Sequence, residues 1–271
     1  MAWTRPRILD RLAFYESAQE YLRDLRENHP EHFMESVTQS TQRKITIASL
    51  ELVHTRRPEV QLFNELLVQY RVGRDQTIRR VCPDNMVVVH GEPIKAEGSF
   101  DVPLQPAKPL WVLEYVSSSN SRKDYDDNMQ KYDVELKLPY YLLFTPDAEE
   151  LTLFRRGRTK FASIIPNVRG RLELPELELE MALVENWVRF WFRGELLPLP
   201  GELLLRLDEV EESLATTQDR LEQSETTLAA TRGRLEQSEA TIATTQADLA
   251  SAQDEIARLR DELRRSREAG T

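Results

Sequence analysis

Leu110-Trp111-Val112-Leu113-Glu114-Tyr115-Val116 is the most strand-like stretch of the chain, and one of its seven residues, Glu114, is out of place. The other six are apolar or aromatic. Burying an ionised carboxylate in such a strand costs on the order of several kcal/mol unless a cation or a set of donors compensates it. Glu114 therefore requires a partner. Asp84 lies thirty residues upstream, behind Pro83 and at the head of the apolar run Met86 to Val89. Hairpin-like pairing of these two strands brings the two carboxylates together, and two oxygen ligands on neighbouring strand ends suit Mg²⁺, which takes few carboxylates and keeps several waters. Taken singly, Pro-Asp is most often a turn, and a strand glutamate can pair with a buried Arg or Lys. The ordered combination carries the reading.

Downstream, Ser121 to Leu136 is expected to be a helix, with Ser121 as N-cap, Asp124 as its capping-box partner and Tyr125, Met129, Tyr132 and Leu136 as the buried stripe. Lys131 stands beside that stripe, with Asp124, Asn128 and Glu135 on its face. Tyr140–Thr145 and Leu151–Arg155 flank Pro146-Asp147-Ala148-Glu149, the pattern of a hairpin. Arg158 to Ile165 adds a further strand. The spacing then predicts a helix over Glu180–Arg193, with Leu183, Val184, Trp187, Phe190 and Trp191 on one side, ending at Gly194.

Upstream, Ile8 to Leu25 has helical period and is broken by Asn28-His29-Pro30. Ile45 to Val53 alternates as a strand does. Pro58 is a good first-turn residue, and Val60, Phe63, Leu66, Leu67 and Tyr70 follow at helical spacing. Thr77 to Val81 reads as a strand, and Gly91 to Pro109 as a loop.

The tail is a heptad repeat. Position a holds Leu207, Leu214, Leu221, Leu228, Leu235, Ile242, Leu249, Ile256 and Leu263. Position d is weaker, because Thr217, Ser224, Thr231, Ser238, Thr245 and Ala252 are small or polar. Gly233 costs about 1 kcal/mol more within a helix, so the middle of the tail is its least stable part.

Charge bounds the partners. The net charge is −10, of which the tail from Leu203 carries −6 through nine Arg against fifteen Asp and Glu. Such a chain has no basic surface overall, so phosphate binding needs a local patch. Arg56, Arg57, Arg71, Arg74, Arg79 and Arg80 cluster in sequence before Asp84. Cys82 is the only cysteine, which excludes an intrachain disulfide and Cys-rich zinc sites. His29, His32, His54 and His90 lack metal spacing, and Ser117-Ser118-Ser119 lacks the Gly-x-Ser-x-Gly elbow of hydrolases. No apolar window is long enough to span a membrane, and a cytoplasmic location is expected.

Pro83-Asp84, then Leu113-Glu114-Tyr115-Val116-Ser117-Ser118-Ser119, Lys123-Asp124, Lys131-Tyr132 and Leu138-Pro139-Tyr140-Tyr141 before a hairpin resemble the Uma2 (DUF820) family of the PD-(D/E)XK nuclease superfamily. The resemblance covers roughly residues 45–193. It implies an α/β fold, a restriction-endonuclease-like core with a mixed sheet flanked by helices, to which the chain adds a C-terminal coiled-coil helix. It implies an endonuclease hydrolysing DNA with Mg²⁺ or Mn²⁺, held by Asp84, Glu114 and the Tyr115 main-chain carbonyl. Val116 stands where the superfamily has its lysine, so the resemblance points to Lys131 on the following helix, with Lys123 in reserve, and to Glu65 as an auxiliary acid. The expected organisation is a helical segment over 1–44, the nuclease-like domain over 45–195, a linker over 196–202 and a coiled coil over 203–271. That coil would join two copies or take another helix partner, and a parallel pair of copies would set two nuclease-like domains side by side. The alternative is a non-catalytic assembly module of the same fold acting through its coiled coil.

Overall fold

The computed structural model describes residues 5–28, 36–116 and 122–269, with side chains over 7–28, 36–116 and 126–265. It falls into two units, Met1–Glu202 and Leu203–Thr271. The first is a mixed α/β unit around a six-stranded sheet. Its strands stand in the order β1 (Val60–Asn64), β4 (Asn85–Val89), β6 (Pro109–Tyr115), β7 (Tyr140–Thr145), β8 (Glu150–Arg156) and β9 (Phe161–Ser163). Only β6 and β7 run parallel in it. A parallel pair needs a crossover, and here it contains α3 (Arg122–Met129), continued by a π-helical turn over Gln130–Glu135.

Alternation along β6 sends side chains to two different cores. Trp111, Leu113 and Tyr115 face a core shared with α2 (Val37–Arg56) and with a four-stranded sheet of β10 (Leu172–Leu174), β11 (Leu179–Val184), β12 (Trp187–Phe192) and β13 (Glu195–Leu196). Val112 faces a second core, formed with the π-helical turn and with a three-stranded sheet of β3 (Thr77–Val81), β2 (Leu67–Val72) and β5 (Ser99–Asp101). Glu114 has the parity of Val112, so its carboxylate points into this second core. α1 (Arg5–Asn28) is held to β2 and β3 by the ion pairs Arg71–Asp10 (2.7 Å) and Arg80–Glu20 (2.9 Å), with each guanidinium also over an α1 ring, Phe14 or Tyr21.

Three expectations are corrected. Ile45–Val53 is not a strand but the second half of α2, which starts at a capping box where Ser36 and Gln39 exchange side-chain to main-chain hydrogen bonds. Its buried residues Gln42, Ile45, Thr46, Ser49, Leu50 and Val53 follow a helical period, and α2 runs through the expected boundary at 44/45. The segment from Pro58 to Tyr70 is not a helix: β1 and β2 are separated there by a break at Glu65, which takes φ +47°. Glu180–Arg193 is likewise a hairpin, β11 and β12, turned by Glu185 and Asn186 with φ +50° and +66°, the two left-handed residues of a type I′ turn.

The Gly91–Pro109 loop contains β5. The expected linker over 196–202 ends β13 and begins α4, a helix running without a break from Pro200 to Ala269. The predicted N-cap Ser121 and the Ser117-Ser118-Ser119 run lie outside the described residues. No helix among the described residues is long and apolar enough to cross a membrane.

Candidate metal and nuclease site

Pro83 has no N–H to give a ladder, so β4 begins after it, and Asp84 is the last residue before regular pairing. The β4–β6 register sets Asn85 opposite Leu113, which puts Asp84 opposite Glu114, one step further along the two antiparallel strands. The main chain fixes this end. Tyr115 N–H donates to Asp84 Oδ2 at 2.7 Å, and Glu65 N–H donates to the Asp84 carbonyl at 3.2 Å.

The two carboxyl groups thus lie opposite each other and act on each other electrostatically. Glu114 is 7% exposed. Burial, and then the neighbouring charge of Asp84, hold its carboxyl well above the ordinary value of 4.5. Burial also raises Asp84 above its ordinary 3.8, against the opposing pull of the Tyr115 N–H and of Arg43. Adjacent buried acids whose values are both raised are the electrostatic signature of a site short of positive charge.

Tyr132, fully buried on the π-helical turn, donates its hydroxyl proton to Glu114 Oε1. Burial and the Glu114 charge push that phenol far above its usual range, so it remains a donor at any working pH. On the other face of β6, the Tyr115 hydroxyl lies 2.9 Å from Thr46 Oγ1 and donates to Asn85 Oδ1. Two residues of α2 complete the surroundings. Gln39 Nε2 donates to the Tyr115 carbonyl at 3.4 Å, and Arg43 binds Glu65 (2.7 Å) while lying 3.6 Å from Asp84 Oδ1. Cys82 is partly buried beside these acids, and burial and their charges push its thiol up to about 12.

The structure thus brings Asp84, Glu114, the Tyr115 main chain and Glu65 together. Glu65 arrives from the β1–β2 break rather than from a helix. Lys131 is placed differently: its ammonium pairs with Asp127 one turn earlier, at 3.7 Å. The side chain of Lys123 lies outside the described residues. The six arginines before Asp84 are dispersed. Arg57 pairs with Glu59 and Glu178, Arg56 lies over Phe192, and Arg71 and Arg80 secure α1, which leaves Arg74 and Arg79 exposed on the β2–β3 hairpin.

Sequence reasoning missed Gln39 and Arg43, because the second half of their helix, Ile45–Val53, was read as a strand. The available signal was a polar stripe, Gln39, Gln42, Arg43, Thr46 and Ser49, at helical spacing behind a capping box. Gln42, Thr46 and Ser49 have no solvent exposure, and polar groups buried along a helix face require partners. Gln42 meets this by clamping β12, accepting from Val188 N–H (2.8 Å) and donating to the Val188 carbonyl (3.1 Å).

No group of three or more His, Cys, Asp or Glu side chains arranged to hold a metal ion occurs among the described residues. Two carboxylates and a carbonyl nevertheless suit Mg²⁺ or Mn²⁺, because Mg²⁺ is usually held by one or two carboxylates with water in its other positions. The placing of Asp84 opposite Glu114 and the upward shift that burial gives both carboxyls fit a cation there.

Residues 34–187 match the profile of the Uma2 family, whose description is "Putative restriction endonuclease". The chain belongs to the Uma2 family. A solved structure of "a putative nuclease belonging to DUF820" from Anabaena variabilis ATCC 29413 is similar at 16% identity, over 53% of this chain and 75% of that one, with a TM-score of 0.39. No curated protein matches the chain. This Uma2 member extends past the matched region at both ends, with α1 before it and α4 after it.

Proposed function

We propose that this Uma2 protein is a Mg²⁺- or Mn²⁺-dependent endonuclease of the cytoplasm that hydrolyses phosphodiester bonds in DNA. The observation that carries the reading is the placing of Asp84 opposite Glu114 at adjoining strand ends, both carboxyls raised by burial. Asp84, Glu114 and the Tyr115 carbonyl would hold the cation. Bound there, it would supply an activated water and neutralise charge developing on the phosphate.

The protein's own groups prepare that site. Tyr132 O–H and Tyr115 N–H each hold one carboxylate in a fixed orientation, so little reorganisation is needed. Lys131 is the proposed proton carrier for the attacking water, at its Nζ, once it leaves Asp127. Arg74 and Arg79 are the exposed cations proposed to meet the DNA backbone.

Cleavage of plasmid and linear DNA with Mg²⁺ or Mn²⁺ tests this. The expected result is cutting by the parent and loss of at least about a hundredfold, the scale of losing one preorganised charged contact, in Asp84→Asn and Glu114→Gln. Equal cutting by these variants removes the proposal. The Lys131–Asp127 pair favours a second reading, a non-catalytic module that keeps the fold, which predicts no cutting of any DNA by the parent.

A further inference from the structure

α4 is 70 residues long, about 105 Å at 1.5 Å per residue. Every leucine or isoleucine at position a from Leu207 to Leu263 is between 49% and 59% exposed. A helix of this length with one continuous apolar stripe is built to bury that stripe against another helix. We propose that α4 pairs with the α4 of a second copy of this chain, in parallel and in register.

Charge carries the choice of partner and direction. A parallel pair in register sets each g residue against the e residue five positions further along its partner. The resulting pairs are Arg206 with Glu211, Arg220 with Glu225, Arg234 with Glu239 and Glu255 with Arg260, and the sequence continues with Glu262 at g and Arg267 at e. The other steps, Ser213–Gln218, Thr227–Arg232, Thr241–Gln246 and Asp248–Gln253, each have an uncharged member. No like charges meet. An antiparallel pair matches g with g and e with e instead. Its best overlapping register keeps only Arg220–Glu255, Glu211–Arg260 and Arg232–Glu239, while the neighbouring register sets Arg232 and Arg234 against themselves.

The d positions look too polar for a seam, and the structure answers this. The hydroxyls of Thr217, Thr231 and Thr245 donate to the carbonyls of Ser213 (2.8 Å), Thr227 (2.8 Å) and Thr241 (2.9 Å) in their own helix. A threonine satisfied in this way brings only its methyl group to the seam, with no unmet donor. Small d residues between a-position leucines also leave too little apolar volume for a wider bundle, which argues for two strands.

This inference does not depend on the carboxylate pair and is tested without DNA. The full-length chain in a Cys82→Ser background receives Val210→Cys or Leu259→Cys, each at a d position near one end of the seam. The expected results are a light-scattering mass twice 31.6 kDa and efficient oxidative cross-linking of each variant to its own copy. Combining Glu225→Arg with Glu239→Arg is expected to raise the dimer Kd by at least about tenfold, since it reverses four surface pairs. Adding Arg220→Glu and Arg234→Glu is expected to restore it, which a general loss of folding would not allow. A monomer mass at micromolar concentration, a mass of three or more chains, or a dimer in which neither cysteine cross-links to its own copy overturns the proposal.

Discussion

Tyr132 donates its hydroxyl proton to Glu114 Oε1 from a position with no solvent exposure. The bond joins the helical crossover to the strand it follows. A π-helical turn presents Tyr132 there, and such turns, uncommon in general, occur often at functional sites.

Tyr132→Phe removes this donor and leaves a buried carboxyl with one partner fewer. Leaving a buried polar group short of a partner costs about 1–3 kcal/mol, so chemical denaturation is expected to show a loss in that range. If the proposed function holds, the variant also binds Mn²⁺ more weakly while keeping its fold. Unchanged stability would show that the bond carries nothing.

The acid pair sets a pH dependence. Glu114 and Asp84 both have folded values raised above their ordinary 4.5 and 3.8, so the folded chain binds their protons more tightly than the unfolded chain. Their contribution is therefore complete below the ordinary carboxylate range and is lost as pH rises through the folded values. Exposed acids held by arginines, such as Glu178, act in the opposite sense, so the informative quantity is a difference. Without divalent metal, Glu114→Gln is expected to melt at a progressively higher temperature than the parent as pH is raised from 5 to 8. A gap that shrinks over this range contradicts the assignment.

Ser36→Ala deletes the side-chain half of the capping box that starts α2. Loss of such a cap costs about 1 kcal/mol. Thermal melting is expected to show a loss of this size, and no change would mean that packing of α2 on β12 alone sets where the helix begins.

Cys82 is expected to react slowly with a thiol reagent at pH 8 in the folded protein. Its thiol stands at about 12, and the thiolate is the reacting form. The comparison is with the denatured chain, where reaction should be faster by orders of magnitude; equal rates would place Cys82 in solvent.

The two acids of the candidate site stood out in the sequence before the fold did. Glu114 is conspicuous as the one acid in an apolar strand, and Asp84 as the acid behind a strand-opening proline. α1, β3, β4, β6, the β7–β8 hairpin and the long α4 were legible too, because their period and punctuation agree. The failures share a cause: short apolar runs fit two periods. Val60, Phe63, Leu66, Leu67 and Tyr70 match a helix in spacing, but the left-handed break at Glu65 divides them between two strands. Trp187-Val188-Arg189-Phe190-Trp191-Phe192 is rich in aromatic and β-branched residues that favour strands, and the turn at Glu185-Asn186 closes it into a hairpin. Ile45–Val53 is the converse case, β-branched residues carried in a helix by packing on both sides. With α2 misread, Gln39 and Arg43 had no reason to meet Tyr115, Glu65 or Asp84.

The most direct test of the account is a calorimetric titration of Mn²⁺ into the parent, Asp84→Asn and Glu114→Gln at neutral pH. The account predicts one site per chain in the parent, and weakening of at least about tenfold, or about 1.4 kcal/mol, in each variant. Absence of binding to the parent at millimolar Mn²⁺, or equal binding by all three proteins, would contradict it.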